Sequence, residues 1–108
     1  MMPAKREELK RMLDEGTNMT LLDVLPEEYF KKEHIPGSIN IHKSKIEEEV
    51  PAKVSKDKPV VTYCASFECT SSIQAAAVLE SMGYDVYEFD GGMDDWKDAG
   101  YNVEGSKQ

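Results

Sequence analysis

The two cysteines of this chain, Cys64 and Cys69, stand five positions apart and directly follow an apolar, β-branched run that ends at Tyr63. A disulfide that closes so short a loop restrains the unfolded chain little, so a structural crosslink explains the pair poorly. The two histidines, His34 and His42, do not complete a zinc-binding spacing with them. Reactivity or packing must therefore account for the cysteines, and we expect no metal and no organic cofactor.

Cys64 lies where a predicted strand gives way to a helix that begins near Thr70. A tight turn from strand into helix points successive backbone N–H groups inward, and the positive end of the helix lies behind them. A thiolate held there gains hydrogen bonds from fixed donors, which lowers a cysteine pKa below about 8.5. The same cradle suits a persulfide. The alternative is that Cys64 is a small buried side chain at a strand end, and this segment alone leaves both interpretations open.

Short apolar runs alternate with helical patterns on both sides of this loop. We predict strands over 20–24, 38–41, 59–63 and 86–89, helices over 3–15, 26–30, 45–50 and 70–82, and a last helical turn at Trp96. Such alternation favours an α/β fold, with a small, mostly parallel sheet of four to five strands and helices on both faces. We expect one domain over 1–108, with its core at about 4–103 and a frayed tail from Glu104.

The chain is acidic, with a formal net charge of −8 over its 108 residues. A field of that sign repels phosphate backbones and anionic lipid surfaces, so we expect neither nucleic acid nor a membrane as a partner. The first residues lack the apolar stretch of a signal peptide, and no run approaches the ~18 apolar residues of a membrane span. We therefore predict a cytoplasmic protein, in a compartment that keeps thiols reduced.

Four sequence blocks follow one another along nearly the whole chain: Leu21–Val24, His34–Asn40, Tyr63–Cys64 followed by Thr70, and Gly91–Tyr101. In order and spacing these blocks resemble the rhodanese-like family, over about Leu9 to Val103. The resemblance implies a parallel sheet flanked by helices and sulfurtransferase chemistry through a persulfide on Cys64 as the catalytic cysteine. It also implies a short first strand, for which Met1–Pro3 leaves room for a stub at most.

The resemblance further implies an active loop whose backbone amides bind the sulfur. The residues of this loop are Ala65, Ser66, Phe67, Glu68, Cys69 and Thr70. The family often places Arg one and five residues after its cysteine, where this chain has Ala65 and Cys69. Gly is common third in the loop, where this chain has Phe67. The loop thus carries no positive side chain and one negative one, Glu68.

A missing loop arginine bears on the choice of sulfur donor. A charge-assisted hydrogen bond contributes roughly 1.5 to 3 kcal/mol, so its loss would cost an anionic donor about one to two powers of ten. We therefore expect weak activity with thiosulfate and a neutral or protein-borne persulfide as the better donor. Related folds that hydrolyse phosphate esters end this loop with Arg, whereas this chain has Thr70. A phosphatase is therefore excluded.

Three functions remain open from the sequence. The chain is a sulfurtransferase or sulfane-sulfur carrier, a non-catalytic rhodanese-like binding module, or a thiol redox protein that uses Cys64 and Cys69 as a dithiol. The first function needs a small sulfur donor, persulfide or thiosulfate, and a thiol acceptor that can be a protein. In it, Cys69 is either a resolving thiol that attacks the Cys64 persulfide or a small packing residue.

Several other polar and aromatic residues are expected to act in structure. We expect Asp23 to bind loop amides at a strand end and His34 to fix a turn. Trp96 and Tyr101 should pack in the core or against a helix. Ser71 and Ser72 are expected to cap the helix after the loop. Phe67 is either an exposed loop tip that contacts a partner or a lid.

Overall fold

Five short strands form one sheet in the computed structural model, which describes residues 1–106. The strands are β1 (Met2–Pro3), β2 (Thr20–Asp23), β3 (Ile39–Asn40), β4 (Val60–Tyr63) and β5 (Val86–Phe89). Their spatial order is β1-β5-β4-β2-β3, and every neighbouring pair is parallel. The strand that leads to Cys64 is therefore the central one, with two strands on each side.

Helices cover both faces of this sheet, as predicted. They are α1 (Arg6–Asp14), α2 (Glu27–Lys32), α3 (Ile46–Lys53), α4 (Ser71–Ser81) and α5 (Gly92–Asp98), with a 3-10 turn at Lys43–Lys45. Because successive side chains of a strand point to opposite faces, Val60 packs with α3 and α4 while Val61 packs with α1 and α5. In the part of the chain that is described, no helix is long and apolar enough to cross a membrane.

Two prolines behave differently from the prediction. Pro3 was expected in the first turn of a helix, but it lies in β1, paired with Glu88 of β5. Proline is tolerated on this edge strand because the inter-strand bond comes from the next amide, Ala4 N–H to Glu88 O at 3.0 Å. The helix predicted over 45–50 continues to Lys53, so Pro51 lies inside α3. The carbonyl that loses its donor there belongs to the exposed Glu47, which water can satisfy.

The segment after the last helix is bound to the body of the protein. The main chains of His34 and Glu104 exchange hydrogen bonds of 2.8 and 2.9 Å, and Ser106 N–H donates to Lys31 O at 2.9 Å. The prediction of a frayed tail from Glu104 is therefore wrong for these residues, because main-chain groups of Lys31 and His34 supply hydrogen-bond partners. The rest of the predicted tail, 107–108, lies outside the described residues.

Candidate active site

The loop after Cys64 is held at its base by the beginning of α5. Met93 N–H donates to Cys64 O and Asp94 N–H donates to Ala65 O, both at 2.9 Å. The two carbonyls at the start of the loop are therefore fixed on the α5 side. The loop ends at α4, so the strand-loop-helix arrangement expected from the sequence is present.

Gly92 allows the loop to approach α5 this closely. Its φ is +64°, and a Cβ atom would lie 2.5 Å from Cys64 O and 2.7 Å from Ser66 N. Both contacts are with backbone that the hydrogen bonds to α5 hold in place, so no larger residue fits. In the sequence, Gly92 stands out only as a member of the family block Gly91–Tyr101. Its close approach to the Cys64 loop depends on how α5 packs against that loop in the folded protein.

Cys64 and Cys69 form a disulfide, with their Cα atoms 6.4 Å apart. This separation falls within the usual range for such bonds, a reach that the sequence could not decide. Cys64 is only 1% exposed, and Cys69 is partly buried. The prediction of reduced thiols is therefore wrong for the state in this structure, in which the Cys64 sulfur is covered.

Ser66 folds the loop back on itself. Its hydroxyl accepts a hydrogen bond from Glu68 N–H at 3.3 Å, and its carbonyl accepts one from Cys69 N–H at 3.1 Å. Two of the amides assigned to sulfur binding are thus used inside the loop. The remaining loop amides donate to no residue within 1–106: Ala65, Ser66, Phe67 and Thr70. These four N–H groups are therefore not used in holding the loop to the described part of the chain.

The charged and apolar side chains of the loop point outward. Phe67 is 65% exposed, so it is an exposed tip rather than a lid, and Glu68 is exposed as well. Phe67 and Arg6 border a surface pocket of about 290 Å³. The Arg6 guanidinium is bound to Asp95 Oδ1 at 3.1 Å and to Asp98 Oδ2 at 3.3 Å. This cation is therefore neutralised by carboxylates rather than offered to the loop.

Behind the Cys64 sulfur lies a buried polar pair. Cys64 Sγ is 3.5 Å from Ser72 Oγ, and the Ser72 hydroxyl donates to Glu88 Oε2 at 2.8 Å. Ser72 is fully buried and Glu88 is 7% exposed. Burial raises the pKa of Glu88 above its ordinary value. The prediction that Ser72 caps α4 is wrong, because its side chain turns inward to these two partners.

Sequence reasoning missed Glu88 as a member of the site. A glutamate inside the apolar strand Val86–Phe89 was the available signal, because acidic side chains are rarely buried without a partner. Its partner Ser72 is 16 positions away along the chain, on α4, so only the folded structure brings the two together.

A second buried polar cluster lies on the opposite face, at the end of β2. Asp23 Oδ1 accepts a hydrogen bond from Leu25 N–H at 2.9 Å, which agrees with the structural role expected for it. The Tyr63 hydroxyl accepts one from Ile35 N–H at 3.1 Å and lies 2.9 Å from Ser38 Oγ. Asp23 is fully buried, and burial raises its pKa to about 6. This cluster holds the loops after β2 and α2.

The predicted turn and packing residues occupy the expected places. His34 Nδ1 donates to Phe30 O at 2.7 Å, and the two rings stack with centroids 3.9 Å apart. Trp96 and Tyr101 meet edge to face, and Trp96 Nε1–H donates to Asn102 O at 2.8 Å. Both interpretations are confirmed.

A mostly apolar pocket of about 230 Å³ opens beside the first loop residue. Its lining residues are Leu25, Tyr29, Lys32, Glu33, Ala65, Met93 and Asp94. Residues 1–106 contain no group of three or more His, Cys, Asp or Glu side chains placed to hold a metal ion. What the arrangement offers chemically is a sulfur, nearby free amides and an apolar recess.

A five-stranded parallel sheet whose central strand leads to a cysteine, in a loop that connects this strand to a helix, defines a class of small α/β domains. The chain matches the model of the rhodanese-like domain over residues 5–99 and belongs to that family. The family resemblance seen in the four sequence blocks and the fold that it implies are thus confirmed.

Individual relatives agree with this assignment. The chain is 35% identical over 92 residues to the thiosulfate sulfurtransferase GlpE of Pseudomonas savastanoi, covering 84% of this chain and 82% of that protein. It is 34% identical over 99 residues to the HTH-type transcriptional regulator Rv0324 of Mycobacterium tuberculosis, covering 92% of this chain. It spans only 43% of the length of that regulator.

A solved structure extends the likeness to the fold. The BH2092 protein of Bacillus halodurans superposes with a TM-score of 0.93 at 31% identity, covering 97% of this chain and 77% of that one. The family is thus represented both by proteins named for sulfur transfer and by a domain within a regulator.

Proposed function

We propose that this chain is a sulfurtransferase or sulfane-sulfur carrier that forms a persulfide on Cys64. The observation that carries the proposal is the position of Cys64, at the end of the central strand and at the start of a loop with four unused amides. Fixed N–H donors stabilise an anionic sulfur at no cost in reorganisation. We expect the protein to act in the cytoplasm, where thiol reductants are abundant.

The reaction begins with reduction of the Cys64–Cys69 disulfide by an external thiol. The Cys64 thiolate then attacks the outer sulfur of a donor persulfide, forming a new sulfur–sulfur bond and releasing the donor as a thiolate. The free amides of the loop stabilise the resulting Cys64 persulfide. A thiolate acceptor attacks the outer sulfur in turn, takes it, and regenerates the Cys64 thiolate.

The surroundings of the loop favour an uncharged or protein-borne persulfide over thiosulfate. The loop carries no cation, and Arg6 beside it is bound to two carboxylates. The mostly apolar pocket next to Ala65 suits the carbon part of a donor or acceptor. We expect the persulfide to be turned over about ten to a hundred times faster than thiosulfate.

The disulfide supports a part for Cys69 in turnover. A Cys69 thiolate that attacks the inner sulfur of the Cys64 persulfide releases hydrosulfide and leaves the Cys64–Cys69 disulfide. Two electrons from an external thiol then reopen the loop. If Cys69 acts in this way, Cys69→Ser retains the Cys64 persulfide and stops releasing sulfide. Sulfide release at the full rate from Cys69→Ser would show that Cys69 only packs.

The same disulfide favours a second candidate function, a thiol redox protein that cycles between dithiol and disulfide. Mass spectrometry of the reduced parent protein and of the reduced Cys69→Ser variant, after incubation with a low-molecular-weight persulfide, separates the candidates. Sulfur transfer predicts the gain of one sulfur atom on Cys64 in Cys69→Ser, where no intramolecular disulfide can form, and Cys64→Ser should abolish that adduct. Loss of two hydrogens from the parent protein, with no sulfur gained by Cys69→Ser, would favour the redox function. An unchanged mass in both proteins would leave a non-catalytic binding module.

A further inference from the structure

Three buried groups from separate elements line up behind the loop. Cys64 directly follows the central strand β4, Ser72 lies in the first turn of α4, and Glu88 lies in β5. The Ser72 hydroxyl is 2.8 Å from the Glu88 carboxylate and 3.5 Å from the Cys64 sulfur, so a single hydroxyl joins the acid to the sulfur. No step of the proposed sulfur transfer uses Ser72 or Glu88.

The Ser72 hydroxyl has one hydrogen and two neighbours that can accept it. In the disulfide the Cys64 sulfur is uncharged and accepts weakly, so the hydrogen goes to Glu88. Reduction changes this balance, because the sulfur then carries either a proton of its own or a full negative charge. A charged sulfur competes with the carboxylate for the same hydrogen.

The environment of Glu88 disfavours two negative charges at once. Within residues 1–106, β1 and β4 carry no charged side chain, and the titratable group of β4, Tyr63, packs on the opposite face. The one charged residue of α4, Glu80, pairs with the amino group of Met1. Burial raises the pKa of Glu88, the hydrogen bond from Ser72 lowers it, and the negative charge of Asp90 raises it further, so that the net shift is upward. A thiolate and a carboxylate there would repel each other with no cation between them.

We propose that Cys64 and Glu88 share one proton through Ser72, so that Glu88 accepts the Cys64 thiol proton while the Ser72 hydroxyl contacts the sulfur. In this step the thiol proton passes to Ser72 Oγ, and the hydroxyl proton of Ser72 passes to Glu88 Oε2. The products are a thiolate, a hydroxyl and a carboxylic acid, and the net charge is unchanged. The Ser72 hydroxyl then donates to the thiolate, and Glu88 acts as a positioning residue.

This inference rests on the proposed function only in taking Cys64 as the reactive sulfur. Proton sharing with Glu88 is the way in which that sulfur loses its proton inside a buried site. Because the two groups are coupled, their protons leave in two macroscopic steps that belong to the pair. The first step yields some thiolate at a pH below that of an isolated cysteine, and the second yields the rest at a higher pH.

The test uses Cys69→Ser protein, in which Cys64 is the remaining cysteine. Thiolate is followed by its ultraviolet absorbance against pH, and Glu88 is followed by carboxyl-carbon NMR. In this protein we expect the thiolate to form in two steps. After the further change Glu88→Gln we expect a single step, with a midpoint about one pH unit or more below the upper midpoint of the Cys69→Ser protein. Adding Cys64→Ser instead must shift the Glu88 titration by an equal amount, because coupling between two sites is reciprocal.

Ser72 is tested in the same background. Ser72→Ala removes a hydrogen bond to the thiolate, so thiolate at pH 7 should fall about tenfold, and Ser72→Thr, which keeps the hydroxyl, should restore most of it. Thr62→Val is the matched control. Thr62 Oγ1 lies in the same buried region, but it donates to the Ser72 carbonyl oxygen, at 3.1 Å, rather than to the sulfur. Its removal should leave both titrations unchanged.

A single thiolate step that Glu88→Gln does not move, or a Glu88 titration indifferent to Cys64, would overturn the proposal. So would an equal effect of Thr62→Val and Ser72→Ala. The titrations involve no sulfur donor, so they fail or succeed separately from sulfur transfer. If the persulfide forms normally but the Cys64 and Glu88 titrations are not coupled, the proton sharing is wrong and the proposed function stands. If the titrations are coupled but no persulfide forms, the proposed function is wrong and the proton sharing stands.

Discussion

Two buried polar clusters lie at the same edge of the sheet, and they begin at consecutive residues. Tyr63 belongs to a cluster with Asp23 and Ser38 on the α1 and α5 face, whereas Cys64 faces Ser72 and Glu88 on the α4 face. The hydrogen bonds of the tyrosine cluster hold backbone groups of two loops, at Leu25 and Ile35. In the sulfur cluster, the Ser72 hydroxyl donates to the Glu88 carboxylate and lies 3.5 Å from the Cys64 sulfur. A step of one residue, from Tyr63 to Cys64, therefore separates a cluster that holds loops from one that joins a sulfur to an acid.

A glycine in each region gives the largest expected contrast. Gly92→Ala would push a Cβ into the backbone of the Cys64 loop and strain a φ of +64°, whereas a Cβ at Gly37, with φ +87°, would meet nothing within 4 Å. We expect Gly92→Ala to lower the free energy of unfolding by about 3 kcal/mol or more, and Gly37→Ala by about 1 kcal/mol. Urea unfolding measures both. Equal losses of unfolding free energy in the two variants would mean that the Cys64 loop shifts to accommodate the added Cβ at little cost.

The carboxyl group of Asp23, in the tyrosine cluster, should make the free energy of unfolding depend on pH. Burial raises the pKa of Asp23 to about 6 in the folded protein, whereas the unfolded chain releases this proton near pH 4. The folded state thus favours the protonated acid. Its contribution to stability is complete below about pH 4 and is lost as the pH rises to about 6, by up to about 3 kcal/mol.

Asp23→Asn removes this titration. The variant should be more stable than the parent at pH 7, by up to about 3 kcal/mol, and its unfolding free energy should be flatter between pH 4 and 6. Denaturant unfolding at a series of pH values measures the difference. Sulfur transfer by the folded variant should stay within a few-fold of the parent. An unchanged slope between pH 4 and 6 would place the proton on another group.

A smaller effect than that of Gly92 or Asp23 is expected from the hydroxyl of Tyr63. Tyr63→Phe leaves the buried Ile35 N–H without its acceptor, so the free energy of unfolding should fall by about 1 to 2 kcal/mol. The Cys64 titration should not move, although Tyr63 is its neighbour in sequence. A changed thiolate pKa in this variant would show that the two clusters act as one.

Local patterns predicted much of this fold and only part of its site. The apolar run before Cys64 and the strand Val86–Phe89 were found because buried parallel strands read as continuous apolar segments. The sequence left open whether Cys64 and Cys69 form a disulfide, because the reach between them depends on how Ser66 folds the loop. The Ser72–Glu88 pair escaped prediction because its members meet only when α4 packs on β5.

The disulfide has a consequence for how this protein withstands peroxide. A free low-pKa thiolate reacts with peroxide to give sulfenic acid, and further oxidation to sulfinic acid is irreversible in most proteins. Cys64, at 1% exposure and bonded to Cys69, offers oxidants neither a thiolate nor access. Oxidative stress would therefore leave the cysteine in a form that any adequate thiol can recover, instead of destroying it.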